Sequence, residues 1–245
     1  MKRAETNVDY SIIIPVFNEE KYIENTLISV QKSQAAFPSY VGEIIIVDNE
    51  STDNTVDIAK KMGAHVVQEV VHNIGRVRNC GAKHAKGRYL IFLDADTPLT
   101  EETLKIILDS LQSNILGGGF LLKPDIRNSL LIKVSFFNWN CIARLFQITT
   151  GSCVFCLKSA FEQVGGFNEE YYACEDFILC KDLKLLGKKI GKKFIINSHK
   201  ITFCCRKFKP ITFRLYLSLS KLLIIGLLNP NYFKIKKNCA RWYKD

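Results

Sequence analysis

Through residue 112, short apolar runs take turns with segments whose apolar positions recur every three or four residues. Residues 10–15, 43–48 (EIIIVD), 64–69 (AHVVQE) and 88–94 (RYLIFLD) read as strands, the second and fourth of them buried. Residues 19–34 place Tyr22, Ile23, Leu27 and Val30 on one helical face. The next helical stretch, 51–63, opens on Ser, Thr and Asp, whose side chains cap helices, and closes on Gly63. Residues 75–87 read as another helix. The stretch 100–112 starts with a threonine and two acids, as the positive end of a helix dipole favours. Such alternation predicts βαβ units, hence an α/β chain with a mostly parallel sheet.

After about residue 128 the pattern changes. SLLIKVSFFNWNCIARLF (129–146) and ITFRLYLSLSKLLIIGLL (211–228) are long apolar stretches with scattered bases. The second lacks an uncharged run near the roughly 18 residues that a spanning helix needs. It reads either as an interfacial or groove-covering helix flanked by CCRKFK and FKIKK, or as a helix packed on the core.

Composition narrows the partners. A chain of 245 residues suits one large domain or a domain with a small appendage. Its formal net charge of +10 implies an anionic partner: nucleic acid, a phosphorylated substrate or an anionic membrane surface. The bases are dispersed and not interleaved with aromatics along one strip, which argues against nucleic acid. Nine cysteines, most in apolar runs (Cys80, Cys141, Cys153, Cys180), and an opening MKRAETNVDY without an apolar signal point to reduced, buried thiols in a cytoplasmic protein. Cys153 and Cys156 are spaced like half a zinc knuckle, but no second pair follows at a workable distance.

In open α/β sheets the ligand lies beyond the carboxyl ends of the strands. The first strand delivers Pro15, Val16, Phe17, Asn18 and Glu19 there, the second Asp48, Asn49 and Glu50, and the fourth Asp94, Ala95 and Asp96. Asp94 and Asp96 are two positions apart, so in extended chain their carboxylates point the same way. They repel unless a cation lies near. An all-oxygen set suits Mg²⁺ or Mn²⁺, with water and substrate phosphates completing the shell. The plainer alternative is a strand end followed by the turn DADTP; Asp48 on a neighbouring strand end favours the metal.

Five blocks carry a resemblance: SIIIPVFNEEKYIENTLISV, EIIIVDNESTDNT, NIGRVRNCGAKHAKGRYLIFLDADT, GSCVFCLKSAFEQVGGFNE and CEDFILCKDLKLLG. In this order, over about residues 10–190, they resemble the family-2 type inverting glycosyltransferases with the GT-A fold. The resemblance implies a Rossmann-like, mostly parallel sheet flanked by helices, with a helical, basic C-terminal extension. It would divide the chain into a transferase domain, 1–205, and an extension, 206–245. Within the domain the nucleotide-sugar half covers about 1–120 and the acceptor half about 121–205.

The implied activity is metal-dependent, inverting transfer from a nucleotide-diphosphate sugar, with a UDP-sugar favoured over a GDP-sugar. The acceptor would be a hydroxyl or phosphate, sugar or lipid-linked, at the cytoplasmic face of a membrane. Pro15, Val16, Phe17, Asn18, Glu19 and Asp48 would hold base and ribose. Asp94, Ala95 and Asp96 would form the Asp-x-Asp segment, with Asp96 closest to the metal. Arg78 matches the family's Arg-Asn position near the nucleotide, with Arg76 as a substitute. By composition, Glu175 and Asp176 are ordinary acids of a helix N-terminus; the resemblance makes Asp176 the base and Glu175 its orienter. His199 and Arg206 are the candidates for a C-terminal loop closing on metal and diphosphate, His199 as a further metal ligand. TGSCVF and GGF would shape the acceptor loop. Tyr171, Tyr172 and Trp139 either stack on sugar or lipid or belong to the core.

Two other readings compete. A nucleotidyltransferase on a related fold wants a glycine-rich basic loop after the first strand, where this chain has PVFNEEKY. A non-catalytic basic binding protein on a degenerate transferase scaffold, for nucleic acid or anionic lipid, would not be expected to keep Asp94, Asp96 and Asp176 intact.

Overall fold

The computed structural model describes residues 8–126, 129–206, 221, 225 and 229–242. Its first half follows the alternation of the sequence: β1 (Tyr10–Val16), α1 (Ile23–Ala35), β2 (Gly42–Asp48), α2 (Thr55–Lys61), β3 (His65–Gln68), α3 (Ile74–His84), β4 (Tyr89–Leu93) and α4 (Glu101–Leu111). The second half adds β5 (Ile115–Pro124), α5 (Leu130–Phe146), β6 (Cys153–Leu157), α6 (Lys158–Gln163), α7 (Glu175–Ile190) and β7 (Lys193–Phe203). The strands form one sheet in the order β3-β2-β1-β4-β6-β5-β7. Only β6 runs antiparallel to its neighbours, β4 and β5.

β1 and β4 are buried along their whole length, with Ile12, Ile13, Ile14, Leu90, Ile91 and Phe92 closed to solvent. That is why they read as unbroken apolar runs and not as alternating ones: helices cover both faces. β5 carries Gly117, Gly118 and Gly119 in its interior. A Cβ on Gly119 would lie 2.3 Å from the Thr149 side chain, and one on Gly118 would lie 2.5 Å from the Ile195 carbonyl oxygen. The bare backbone is therefore what lets β5 sit this close to its neighbours.

Two helices begin later than their sequences suggest. α1 starts at Ile23 and not at Glu19, because the Glu19 N–H is taken by the Thr55 hydroxyl at 2.7 Å and its carbonyl accepts from Tyr22 and Ile23. α2 starts at Thr55 and not at Ser51, because Ser51 and Thr52 bond to Asn18 across the sheet edge. Residues that look like helix openings are spent bracing one loop against another.

All nine cysteines are free thiols; Cys141 is exposed and Cys80 half-buried, against the expectation that both are buried. Cys141 lies on the outward side of α5 with Phe137 and Leu145, and Cys80 sits at the side of α3 that meets the edge strand, its thiol 3.7 Å from the Gln68 carbonyl. Two 3-10 segments, Pro230–Lys234 and Lys236–Trp242, fold back so that Phe233 and Cys239 are buried against Tyr171 and Ala173. The stretch 211–228 lies outside the described residues apart from Lys221 and Ile225. No described helix is long and apolar enough to cross a membrane.

Candidate active site

The carboxyl ends of β1, β2 and β4 lie at one edge of the sheet. Val16 stands in register with Asp48, and the Asn49 N–H donates to the Val16 carbonyl at 2.9 Å. Asp48 is buried, and its Oδ1 accepts from the Ser51 N–H at 3.1 Å. Pro15 and Val16 remain inside β1, while Phe17 emerges with its ring edge-on to His72, centroids 5.4 Å apart. Asn18 and Glu50 both take left-handed backbone, at φ 53° and 67°. Surroundings must over-determine such strain; at Asn18 they do, since its Oδ1 accepts from the Thr52 N–H at 2.8 Å and its own N–H meets the Ser51 hydroxyl at 3.0 Å. Beside this loop opens a cleft of about 430 Å³ whose walls include Asn18, Tyr22, Thr52, Asp53 and Arg206.

Asp94 and Asp96 meet different arginines. Arg78 donates through Nη2 to Asp94 Oδ1 at 3.0 Å and through Nη1 to Glu175 Oε1 at 2.5 Å. It is only 3% exposed. Burial disfavours its charge, but Asp94, Glu175 and Asp176 outweigh that and hold the guanidinium protonated beyond its ordinary range. Arg206 bonds to Glu19 Oε1, stands 3.2 Å from Asp96 Oδ2 through Nε, and lies over the Tyr22 ring at 4.3 Å. Between the two acids, the buried Ala95 anchors the turn by accepting the Thr26 hydroxyl on its carbonyl at 2.7 Å.

Several buried polar atoms here have no hydrogen-bond partner: Glu19 Oε2, Thr97 Oγ1 and Arg78 Nε. In native proteins such atoms call for an explanation, and one explanation is a ligand. Among the described residues no three His, Cys, Asp or Glu gather closely enough to hold a metal unaided. Asp94 and Asp96 therefore fit a hard cation that takes one or two carboxylates and fills its shell from water and phosphate. His199 turns elsewhere: Nδ1 lies 3.3 Å from Glu102 Oε1, Nε2 lies 3.1 Å from the Thr103 hydroxyl, and the ring meets Phe120 edge-on. Of the two C-terminal candidates, Arg206 is the one joined to Asp96.

Asp176 stands in the first turn of α7, where Cys174 at φ 63° supplies no side-chain cap. Its Oδ2 accepts from the Gly151 N–H at 2.7 Å and its Oδ1 from the Phe177 N–H at 2.8 Å. Burial, and then the neighbouring Glu175 carboxylate, push its pKa up to about 8, against the pull of Arg78 and the two N–H donors. Gly151 serves twice here, because a Cβ on it would lie 2.1 Å from Arg78 Nη2. The TGS turn also reaches β4, where the Asp94 N–H donates to the Ser152 carbonyl at 3.2 Å.

The sequence reading passed over two asparagines. Asn79 accepts from the Phe167 N–H at 2.9 Å and donates to the Phe167 carbonyl at 2.8 Å and to Glu169 Oε1 at 2.9 Å. Asn73 caps α3 and donates to the carbonyls of Glu169 and Tyr171 at 2.9 and 3.1 Å. Together they fix the loop that leads into Glu175 and Asp176; the neighbouring Arg78 was the signal, and it drew the attention. Arg76 does not substitute for Arg78, since it pairs with Glu69 and Glu169 at 3.1 and 3.8 Å. Trp139 is stacked on Phe177 at 5.7 Å, and Tyr171 is buried against the C-terminal segment, so both pack as core.

Comparison with known proteins agrees with this geometry. The family model for glycosyl transferase family 2 matches residues 11–165. TarS of Staphylococcus aureus (strain Mu50 / ATCC 700699), a poly(ribitol-phosphate) beta-N-acetylglucosaminyltransferase, is 34% identical over 116 residues. That match covers 44% of this chain but only 20% of TarS. The crystal structure of S. aureus TarS 1-349 in complex with UDP-GlcNAc superposes with a TM-score of 0.64 at 20% identity, over 91% of this chain and 67% of that one. A mannosyltransferase from Pyrobaculum calidifontis, solved with GDP-Man and Mn2+, gives a TM-score of 0.69 at 17% identity, over 94% and 68% of the two chains. The mostly parallel seven-stranded sheet with its flanking helices is the GT-A architecture of these neighbours. A nucleotidyltransferase gives way as a reading, and the chain belongs to glycosyl transferase family 2.

Proposed function

We propose that this chain transfers a sugar from a nucleoside diphosphate donor, with inversion at the anomeric carbon, to an acceptor hydroxyl. The observation that carries the reading is the charge chain Asp94–Arg78–Glu175, which ties the donor-side acid of β4 to the turn bearing Asp176. Pro15 to Glu19 and Asp48 hold base and ribose, with Phe17 offering a ring face and Asp48 a carboxylate for a base N–H. A UDP-sugar is favoured over a GDP-sugar, since TarS, the relative with the higher identity of the two solved neighbours, was solved with UDP-GlcNAc.

Asp94 and Asp96 would hold Mg²⁺ or Mn²⁺, which supplies positive charge against the charge that develops on the departing diphosphate. The relative solved with GDP-Man and Mn2+ supports that assignment. Arg206, already at Asp96 and bordering the cleft, adds a second cation for the same phosphates. His199 is not carried over as a ligand, because both its ring nitrogens engage α4.

On the other side, ionised Asp176 takes the proton of the acceptor hydroxyl as that oxygen attacks the anomeric carbon. Its two backbone N–H partners fix the carboxylate plane, and Glu175 keeps Arg78 in place behind it. Inversion needs only this one base. A phosphate acceptor, ionised already, would need none. We place the transferase domain at 1–205 and an extension at 206–245, whose first residue, Arg206, reaches back to the donor side while the remainder serves a lipid-linked acceptor at the cytoplasmic face of a membrane.

A thermal-shift panel of UDP-, GDP- and dTDP-sugars with and without Mn²⁺ tests the reading, since a ligand of the native state raises the melting temperature. One donor series should stabilise the protein only when Mn²⁺ is present, and Asp96→Ala should abolish that shift. Asp176→Asn should keep the shift and lose transfer by about 10²- to 10⁴-fold. A metal-independent shift, or a fully active Asp176→Asn, would overturn the corresponding role.

A further inference from the structure

The solvent face of α5 is apolar. Leu130, Val134, Phe137, Cys141 and Leu145 follow one another at spacings of four, three, four and four, which aligns them along one side of the helix. Leu130 is 77% exposed, Phe137 68% and Leu145 76%. The helix is not loosely placed: Ile132 and Ala143 are buried beneath it, and Asn140 bonds to both the N–H and the carbonyl of Leu122 in β5 at 2.9 Å. A well-anchored helix of about 25 Å thus presents an apolar stripe outward. Contiguous exposed apolar surface of this kind marks an interaction site.

Charge identifies the partner. Lys133 and Arg144 share the exposed face, and the sequence has no acid between Asp125 and Glu162 while it carries Arg127, Lys133, Arg144 and Lys158. A second copy docked through the same face would set cation against cation. Residues 206–245 make no better occupant, with ten Lys and Arg against one acid. What complements an apolar stripe whose own helix carries only cations is an apolar layer edged by anions. We propose that α5 docks the protein on an anionic lipid bilayer, lying in the interface with Leu130, Phe137 and Leu145 inserted and Lys133 and Arg144 at the headgroups.

The placement has a consequence for the site. The inner side of α5 carries Trp139, stacked on Phe177 next to Asp176. Its C-terminal end leads through Gln147 to Gly151, whose N–H binds Asp176. A bilayer-seated α5 holds the acceptor half at the membrane surface, where a lipid-borne hydroxyl can reach the base. Docking itself requires neither donor nor transfer, so it stands or falls apart from the assigned chemistry.

The experiment is co-sedimentation of the full chain with phosphatidylcholine vesicles, with and without phosphatidylglycerol, in the absence of sugar donor. The wild type should pellet with phosphatidylglycerol vesicles and stay in solution with neutral ones. Phe137→Glu and Leu145→Glu should each weaken the partition about tenfold, the worth of one lost apolar anchor. Lys133→Glu/Arg144→Glu should remove the preference for phosphatidylglycerol. Ile28→Glu, an exposed apolar position on α1, should change nothing, and unaltered melting temperatures check that the variants fold. Failure of the wild type to pellet, or pelleting unchanged by Phe137→Glu and Leu145→Glu, overturns the proposal. So does a wild-type dimer in sedimentation velocity that those two substitutions dissociate, which would assign the stripe to a second copy.

Discussion

Arg78 and Arg206 each bridge two carboxylates of the same site, yet they are held in opposite ways. Arg78 lies wholly inside the protein, with Asp94 and Glu175 on its two terminal nitrogens and a ring of Phe167 5.4 Å away. Arg206 is about a quarter exposed, borders the cleft and rests on the open face of Tyr22. The Arg78 side chain is itself 4% exposed and cannot leave Glu175, 7% exposed, without stranding that carboxylate in a low-dielectric interior. A guanidinium open to the cleft can trade a carboxylate for another anion at lower cost. The first arginine is therefore architecture joining donor and acceptor sides, and the second is a ligand-exchangeable contact.

The largest effect should come from breaking the buried bridge. Arg78→Met leaves Asp94 and Glu175 uncompensated and should cost about 3–5 kcal/mol, read as a loss in denaturant midpoint. If the variant melts with the wild type, Arg78 is no more structural than Arg206 and the distinction fails. Gly151→Ala attacks the same bridge from outside, because the new methyl group would sit 2.1 Å from Nη2. Overpacking of this kind should cost about 1–3 kcal/mol. It should also depress turnover more than donor binding, since the Gly151 N–H holds Asp176 and not the nucleotide.

The same contrast shows what could be read from sequence and what could not. The alternation from β1 to α4 was legible because each buried strand is an apolar run bounded by capping residues. Asp94 and Asp96 were legible as two acids at a strand end, but not as carboxylates aimed alike: β4 stops at Leu93, a turn carries both, and they meet different arginines. β5 was not: ILGGGFLLKP has three glycines in its middle, and glycine is a poor strand former chosen here for close approach to Thr149 and Ile195. Nor could spacing show that Arg78, 97 positions from Glu175, would be clamped to it. Arg206 sits in a basic run, CCRKFK, that reads as a membrane-facing flank by charge and as a candidate for the metal and diphosphate only by resemblance. Only the fold brings it to Glu19, 187 positions away.

Removing the exchangeable contact should be mild for the fold and specific for the donor. Arg206→Gln should cost less stability than Arg78→Met, since Arg206 is about a quarter exposed, but more than a surface ion pair, since Glu19 and Asp96 are only 12% and 17% exposed. The apparent donor affinity should fall about 10- to 10²-fold, the usual worth of one charge-assisted contact of about 1.5–3 kcal/mol. Titration of donor and Mn²⁺ into the variant by calorimetry separates the two. An unchanged donor affinity would leave Arg206 as a structural ion pair and nothing more.

The smallest shift is the most diagnostic. Asp176 has its pKa raised above the ordinary 3.8 by burial and by Glu175, so the native state keeps a proton that the unfolded chain has already released. Between about pH 4 and about 8 the folded protein binds more protons than the unfolded one, and stability should fall as pH rises through that window. Catalysis runs the other way, because only the ionised carboxylate accepts the acceptor's proton. Transfer should rise with pH to a plateau above about 8. Glu175→Gln removes the charge that raises Asp176 while leaving a side chain able to accept from Arg78. Its rising limb should move to lower pH, at a cost in turnover well below that of Asp176→Asn. A limb that stays in place in Glu175→Gln would mean that another group carries the proton. A profile with no rising limb at all would point to an acceptor already ionised, and the buried carboxylate beside Arg78 would then be part of the bridge and not the base.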